Sequence, residues 1–255
     1  MKYLQTSGNE FYLDWHIPYF LCDEELVLTL PGLIHMWTDT SIMHYEAVYT
    51  PKKKDHKVWM VYSWDIRFER FPVAHTKVKT VTFPYEYNRF FAKRNFLLLD
   101  EEDNILAYAD SVWLLVDVEK QRPGRIDGDL FNSFGETEAF YTKPRPKLQE
   151  LDHYSERRSL SPRKTDIDSN HHVNNASIID WFNEVNVDFV GDYASLSSFI
   201  ICYEKQIFMD DEPVIEMEKI EDNKILARIV AGGTTRVTAE ATFKDNTELK
   251  GGNLA

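Results

Sequence analysis

Apolar positions in the first half of the chain predict one long helix among strands. Leu30, Leu33, Ile34 and Trp37 follow the three-and-four spacing of a helix, and Pro31 suits a first helical turn. Runs rich in β-branched and aromatic residues bounded by turn signals indicate strands. The predicted strands are residues 11–21, 59–70, 76–87, 90–99 and 105–118, and the predicted helix lies within residues 26–49.

The second half repeats this order of elements. Ile178, Trp181, Phe182 and Val185 share one face of a predicted helix over residues 174–190. The predicted strands of this half are residues 153–162, 199–208, 214–220, 225–231 and 235–243. The matched order indicates an internal duplication.

One helix followed by antiparallel strands, found twice, predicts an α+β fold. The simplest packing wraps each curved antiparallel sheet around its own long helix, which is a double hotdog. The intervening segment is rich in proline, glycine and charge, as a connector should be. We therefore expect an N-terminal hotdog over residues 1–125, a connector over residues 126–150 and a C-terminal hotdog over residues 151–255.

Composition narrows the class of protein. The chain has 255 residues, 43% of them hydrophobic, and a formal charge of −13. This content supports a sizeable core, and the negative charge argues against nucleic acid as a partner. No apolar run approaches the roughly 20 residues of a membrane span, and the N-terminus resembles neither a signal nor a transit peptide. With only two widely separated cysteines, Cys22 and Cys202, a reduced, cytoplasmic protein is expected.

A polar segment before the second helix carries the candidate chemistry. Asp168, Asn170 and His172 alternate, so in an extended segment they point to one side while Ser169 and His171 point to the other. A carboxylate can orient an imidazole, which can take a proton from water near neutral pH, and an amide can hold the water or a substrate oxygen. This set suits hydrolysis of an activated acyl group. The alternative is a polar loop before a well-capped helix.

Asn174 and Asn175 mark the predicted start of that helix. Free N–H groups and the helix dipole favour negative charge there, so this terminus is a candidate oxyanion site, and an asparagine can also cap the helix. No metal or cofactor is expected, since adjacent His171 and His172 diverge on a strand and no paired metal-binding motif accompanies them. A serine hydrolase lacks its G-x-S-x-G motif here.

The run from Ser161 to Glu184 resembles the signature of the acyl-acyl carrier protein thioesterases, double-hotdog enzymes that include bacterial-type oleoyl thioesterases. Their pattern reads Asp-x-Asp-x-Asn-x-His-Val-Asn-Asn, followed by a helix with a tryptophan and a glutamate. The first half carries further similar runs in the same order. These are Arg70-Phe-Pro72, Arg94-Asn-Phe96, Ala109 to Trp113, Asp117 and Arg122-Pro123.

The resemblance implies hydrolysis of the thioester that joins a fatty acyl chain to the phosphopantetheine of acyl carrier protein. By motif position, Asp168, Asn170 and His172 carry over as the catalytic set. An acyl-coenzyme A thioesterase of the same fold and a non-catalytic acyl-binding protein remain alternatives. A homodimer without a membrane span is expected.

The resemblance also implies that the first half supplies the acyl pocket. Its tryptophans are candidates to line this pocket, although core packing is an alternative for each of them. They are Trp37, Trp59, Trp64 and Trp113.

The chain departs from the family on the strand after the second helix. The usual Tyr-x-x-Glu pattern, followed by cysteine in many plant members, reads here as Tyr203 with Gln206 at the glutamate and Ile207 at the cysteine position. We therefore expect direct attack by water with His172 as general base. Glu204 and Gln206 would point the same way on a strand, so either is a candidate to position the water. The alternative is that both are solvated strand residues.

A basic cluster leads up to the candidate site. Acyl carrier proteins are strongly acidic and this chain is acidic too, so their association needs a local patch of opposite sign. Arg157, Arg158, Arg163 and Lys164 are predicted to dock the carrier protein. Three lysines at residues 52–54 form a weaker candidate.

Overall fold

The computed structural model describes residues 9–49, 57–117, 119–120, 122–126, 128–144, 146–190 and 195–244, apart from the side chains of residues 183, 184 and 186–190. The chain divides into two compact units, residues 1–145 (the first unit) and residues 146–255 (the second unit). Much of the segment predicted as a connector therefore belongs to the first unit.

The elements of each unit follow in chain order. Those of the first unit are β1 (Phe11–His16), α1 (Leu30–Val48), β2 (Lys57–Phe68), β3 (Lys77–Tyr87), β4 (Phe91–Leu99), β5 (Ile105–Asp117), β6 (Arg122–Pro123) and α2 (Gly128–Asn132). Those of the second unit are β7 (Glu156–Ser159), α3 (Asn175–Val190), β8 (Leu196–Tyr203), β9 (Val214–Glu221), β10 (Lys224–Ala231) and β11 (Thr234–Phe243). Short 3-10 turns occupy Tyr19–Leu21 and Lys164–Asp166.

Helix α1 confirms the helix predicted in the first half. The side chain of Thr29 caps it by accepting a hydrogen bond from the amide of Gly32 at 3.0 Å. A Cβ at Gly32 would lie 2.6 Å from the carbonyl oxygen of Leu21, so this close approach requires glycine. On the buried face, the ring of Trp37 lies 5.7 Å from that of Phe96 on β4. The helix therefore packs on the sheet of its own unit.

The first unit has an antiparallel sheet in the order β1-β3-β4-β5-β2, with β6 paired to β5. Strands β4 and β5 are joined by a tight turn in which the Asp100 carboxylate accepts hydrogen bonds from the amides of Glu102 and Asn104. Asp103 adopts a positive φ of 59° in this turn. This turn confirms the break between the strands predicted at residues 90–99 and 105–118.

Residues 136–144, here called the covering segment, pack on the face of this sheet that α1 does not cover. The buried side chain of Asn95 on β4 accepts hydrogen bonds from the amides of Phe140 and Tyr141, at 2.8 and 3.1 Å, and donates one to the Tyr141 carbonyl at 2.6 Å. Asp110, its register partner on β5, accepts a further backbone amide of the segment at 3.1 Å. Two buried polar side chains thus fix the path of the segment.

The second unit has an antiparallel sheet in the order β8-β11-β10-β9-β7. Phe182 of α3 faces this sheet across a small apolar cavity with room for about one water molecule. Phe199, Ala227 and Ala239 are among the sheet residues that line the cavity. Helix α3 therefore packs on the sheet of the second unit.

Two predicted strands of the second half differ from the structure. Strand β7 is shorter than the predicted 153–162, and β8 ends at Tyr203 although a strand to residue 208 was expected. Beyond β8, the amides of Glu204 and Lys205 both donate to the carbonyl of Arg236, at 2.8 and 3.0 Å. Two successive amides thus face one carbonyl, which interrupts the ladder of backbone hydrogen bonds as a β-bulge does.

Each unit therefore has one long helix packed on an antiparallel sheet, and this confirms the α+β class and the double hotdog. Within the described ranges, no helix is long and apolar enough to cross a membrane.

Candidate active site

The polar segment before α3 forms a tight turn. Ile167 and Val173 form a β-bridge at its base. Across the turn, the Asp168 amide donates to the His172 carbonyl at 3.0 Å, and the His171 amide donates to the Asp168 carbonyl at 3.1 Å. His171 takes a positive φ of 65° to close the turn. The backbone between residues 168 and 172 therefore reverses direction.

The expectation of an extended segment is wrong. The carboxylate of Asp168 accepts the amide of Asn170 at 2.8 Å, and such a local bond competes with extended structure. Side-chain exposure nevertheless alternates along the segment. Ser169 and His171 are exposed, whereas Asp168 and Asn170 are half-buried and the following histidine is buried.

Of the two imidazole nitrogens of His172, only Nδ1 has a hydrogen-bond partner among the described residues. The side chain is buried, and its Nδ1 lies 3.2 Å from the carbonyl oxygen of Val173 and 3.6 Å from Oδ2 of Asp168. Both neighbours are acceptors, so Nδ1 carries the hydrogen in the neutral ring. Nε2 is buried and has no hydrogen-bond partner among the described residues. The unprotonated Nε2 therefore keeps a lone pair that no described residue uses.

The side chains of Asn170 and Asp168 form a row of contacts that leads to Nδ1 of this imidazole. The side-chain amide of Asn170 lies 3.5 Å from Oδ2 of Asp168, the same oxygen that faces His172. The turn thus places carboxylate, amide and imidazole of the three predicted residues next to one another.

The start of α3 lies immediately after the turn. The side-chain oxygen of Asn174 caps the helix by accepting the amide of Ala176 at 2.8 Å. Asn175 is the first helical residue, and its carbonyl accepts the hydroxyl of Tyr203 at 3.1 Å. The helix N-terminus, with its partial positive charge, is thereby fixed beside His172 in sequence and in space.

Glu204 and Gln206 lie outside β8, so the expectation that they share one face of a strand is wrong. Both side chains are exposed. Ile207, which follows them, is buried, and its carbonyl accepts the amide of Val173 at 2.8 Å. This bond brings the segment next to the turn, but a catalytic role of either side chain stays a prediction.

Sequence reasoning missed the part played by Asp166. Its carboxylate is 2% exposed and accepts hydrogen bonds from the backbone amide of Arg163 at 2.8 Å and from the guanidinium of Arg163 at 2.9 Å. Its carbonyl accepts the amide of Asn174 at 2.7 Å. Asp166 therefore fixes both ends of the turn, and its place in the Asp-x-Asp-x-Asn pattern was the available signal.

The predicted docking residues are exposed but differ in their contacts. Arg157 forms an ion pair with Glu216 at 3.0 Å, and Arg163 is engaged by Asp166 as described. Arg158 and Lys164 are exposed on β7 and on the 3-10 turn before the site. Residues 52–54 lie outside the described residues.

Three of the four candidate pocket tryptophans cluster in the interior of the first unit. The Trp64 ring lies 6.0 Å from those of both Trp37 and Trp113. Trp59 packs instead against Ala92 and other apolar residues of a different cluster.

Metal-ligand geometry is not found in the described part of the chain, where no group of three or more His, Cys, Asp or Glu side chains is placed to hold an ion. Cys22 and Cys202 are not joined by a disulfide.

The fold and the turn define a double-hotdog protein with a buried histidine before its second long helix, and comparison with known proteins gives its family. Residues 8–134 match the acyl-ACP thioesterase N-terminal domain, and residues 149–245 match the acyl-ACP thioesterase C-terminal domain. The chain belongs to the acyl-ACP thioesterase family.

Solved structures with the same fold include the 12:0-ACP thioesterase from Umbellularia californica, with a TM-score of 0.82 at 19% identity over 94% of this chain and 99% of that chain. An acyl-ACP thioesterase from Bacteroides thetaiotaomicron gives a TM-score of 0.82 at 18% identity, over 94% of this chain and 100% of that chain.

Among curated relatives, the chloroplastic oleoyl-acyl carrier protein thioesterase of Coriandrum sativum is 25% identical over 78% of this chain and 57% of its own length. The chain spans about half the length of the curated relatives it matches.

Proposed function

We propose that this protein hydrolyses fatty acyl-acyl carrier protein thioesters to a free fatty acid and the carrier protein. The unpartnered, buried Nε2 of His172 carries this proposal, because an unsatisfied buried nitrogen is costly unless a ligand uses it. Family membership supplies the substrate class, since relatives are named for the same thioester.

In the proposed reaction, Nε2 of His172 takes a proton from water as the water oxygen attacks the thioester carbonyl carbon. The Nδ1 hydrogen keeps its contact with the Val173 carbonyl and faces the Asp168 carboxylate, which stabilises the imidazolium that forms. The carbon–sulfur bond then breaks, and the phosphopantetheine thiolate takes the proton back. The acid and the thiol leave, and the imidazole returns to its starting state.

The negative oxygen of the tetrahedral intermediate is proposed to lie towards the N-terminus of α3. Asn174 already uses its side-chain oxygen as a cap, so we assign the stabilisation to backbone N–H groups and the helix dipole. Gln206 and Glu204, at the edge of the turn, stay candidates to hold the attacking water.

Docking of the carrier protein is proposed to use the exposed charges of Arg158 and Lys164. Arg157 and Arg163 belong to the same proposed docking surface, and each also forms an ion pair, with Glu216 and Asp166 respectively. The predicted homodimer and the cytoplasmic location stay predictions.

Adjacent histidines allow a matched test. We expect His172→Ala to lower kcat on an acyl-acyl carrier protein by about 100-fold or more, while His171→Ala, whose side chain is exposed, stays within about threefold of the parent. Circular dichroism confirms folding of both variants. Equal turnover by His172→Ala and the parent would exclude the proposed base.

The alternatives separate in the same assay. A parent protein with higher kcat/KM on acyl-coenzyme A than on the carrier-protein substrate is a coenzyme A thioesterase with the same chemistry. A parent protein that binds acyl thioesters and hydrolyses none of them is an acyl-binding protein.

A further inference from the structure

Arg236 lies at a β-bulge in β11, close to the segment that follows β8. The register of β10 against β11 shifts between Ile229 and Val230, and Arg236 is the extra residue on β11. A bulge of this kind re-aims a side chain out of the regular alternation of a strand. The side chain of Arg236 is only 19% exposed, so its neighbours largely cover it.

All three guanidinium nitrogens of Arg236 contact oxygen atoms. Nε donates to the carbonyl of Ala231, at the end of β10, at 3.3 Å, and Nη1 donates to the carbonyl of Gln206 at 3.2 Å. Nη2 forms an ion pair with Oδ1 of Asp211 at 3.6 Å. The guanidinium therefore links the hairpin of β10 and β11 to residues 204–211, here called the flanking segment.

Arg236 holds the flanking segment at both ends. At the first end, the carbonyl of Arg236 accepts the amides of Glu204 and Lys205 at 2.8 and 3.0 Å. At the other end, Oδ2 of Asp211 accepts the amide of Phe208 at 2.9 Å and closes a short turn, while Oδ1 faces the guanidinium. The path of the segment thus depends on the backbone and the side chain of one residue.

The flanking segment also contacts the turn that carries His172. The carbonyl of Ile207 accepts the amide of Val173 at 2.8 Å, and the carbonyl of Val173 lies 3.2 Å from Nδ1 of His172. Gln206, whose carbonyl accepts the guanidinium, directly precedes Ile207. A series of hydrogen bonds therefore runs from Arg236 to the imidazole.

The first unit contains the same bulge with a different side chain. Leu106 is the extra residue on β5 where the register with β4 shifts, and its carbonyl accepts the amides of Glu69 and Arg70 at 2.9 and 3.2 Å. Leu106 therefore occupies the position in the first unit that Arg236 occupies in the second. Its side chain is apolar and buried, so the bulge forms there without a guanidinium.

The turn before α1 likewise repeats the turn before α3. The amide of Asp23 donates to the carbonyl of Val27 at 2.9 Å, and the carbonyl of Asp23 accepts the amide of Leu26 at 3.1 Å. Leu26 has a φ of 65°, the same value as its counterpart in the second unit. Val27 thus corresponds to His172. Because arginine is found at the bulge of the unit whose turn carries the histidine, and leucine at the other, the backbone arrangement alone does not require Arg236.

We propose that Arg236 is a positioning residue of the candidate active site, which holds the flanking segment against the turn and thereby fixes the imidazole of His172. Arginine suits this task because its planar guanidinium directs N–H donors at several oxygens at once. A displacement of about 1 Å in a catalytic group can cost roughly 100-fold in rate. The assignment rests on the proposed function, since it concerns the same site.

Turnover of a small acyl thioester tests this role without a contribution from carrier docking. Arg236→Met is expected to lower kcat about tenfold and to keep KM within about twofold of the parent, because a displaced base affects the chemical step more than binding. Arg236→Lys keeps the charge without the planar donor set, so its kcat should lie between the two. Arg236→Lys also serves if Arg236→Met does not fold.

Arg228 on β10 provides a matched control. Its side chain is 22% exposed and forms ion pairs with Glu216 and Glu150, which both lie outside the flanking segment. Arg228→Met should lower the midpoint of thermal unfolding, as Arg236→Met should, but leave kcat unchanged. A parental kcat in Arg236→Met, or an equal fall of kcat in both variants, would overturn the proposal.

The NMR resonance of the His172 ring, assigned by its absence from His172→Ala, gives a readout that does not need turnover. It should shift in Arg236→Met and keep its parental position in Arg228→Met. A shift in Arg236→Met combined with a parent that hydrolyses no thioester retains the positioning role and excludes the proposed function. An active parent whose ring resonance and kcat are unchanged by Arg236→Met does the reverse.

Discussion

Oδ2 of Asp168 lies 3.6 Å from Nδ1 of His172, and the two residues are brought together by a turn of four residues that Asp168 itself stabilises. One carboxylate oxygen accepts the Asn170 amide at 2.8 Å and holds the turn, and the other faces the imidazole. The same side chain therefore has a structural and an electrostatic task, which two substitutions can separate.

Asp168→Asn retains an acceptor for the Asn170 amide and removes the charge beside His172. We expect kcat to fall roughly tenfold to a hundredfold, since the imidazolium loses its counter-charge, with little change in KM. Asp168→Ala removes the turn bond as well and should lower both kcat and the midpoint of thermal unfolding. If Asp168→Asn keeps the kcat of the parent, the carboxylate is only a turn residue.

Charge reversal tests the docking surface. The double variant Arg158→Glu, Lys164→Glu should raise KM for an acyl-acyl carrier protein roughly threefold to tenfold at low salt and leave hydrolysis of a small acyl thioester unchanged. Lys219→Glu, an exposed position on β9, is the control and reverses one charge where the double variant reverses two. The docking assignment fails if the control and the double variant raise KM equally.

Asp110 should make stability depend on pH. Burial raises the pKa of this carboxyl to about 6, so the folded state favours the neutral acid. The stabilisation is complete below the unfolded pKa near 4 and is lost as pH rises through about 6, on the order of 2–3 kcal/mol in total. Asp110→Asn is neutral throughout and should flatten this part of the urea-unfolding profile.

The apolar cavity of the second unit should accept additional methyl groups. Ala239→Val is expected to raise the free energy of unfolding by about 0.5–1 kcal/mol, because the new methyls fill empty space beside Phe182. Ala231 is also buried on the same sheet but does not line this cavity. Ala231→Val should therefore destabilise the protein through overpacking, and thermal unfolding compares the two.

Much of the fold could be predicted because its signals are local. The place of Pro31 in the first helical turn, the spacing of Leu33 and Trp37 and the break between the strands predicted at residues 90–99 and 105–118 each depend on neighbours in sequence, and each was found as expected. The set of Asp168, Asn170 and His172 was found in the same way, from alternation and residue type.

Other features were not predicted because residues distant in sequence decide them. Strand β8 ends at Tyr203 because Arg236, more than 30 residues away, offers one carbonyl to two successive amides. Arg94 has an ordinary surface residue type, and its burial depends on the helix and sheet that enclose it. Neither feature has a local signature in the sequence.

The hydrogen bonds between Asn95 and the covering segment determine where the chain can be cut to produce the N-terminal hotdog alone. The N-terminal family domain ends at residue 134, yet backbone amides of residues 140–143 donate hydrogen bonds to the side chains of Asn95 and Asp110. A fragment that ends at the family boundary lacks the covering segment. The side chains of Asn95 and Asp110 would then lose these hydrogen bonds and become exposed to water. A fragment that contains the N-terminal hotdog alone must therefore extend through Pro144, because the covering segment packs on the sheet and is part of this domain.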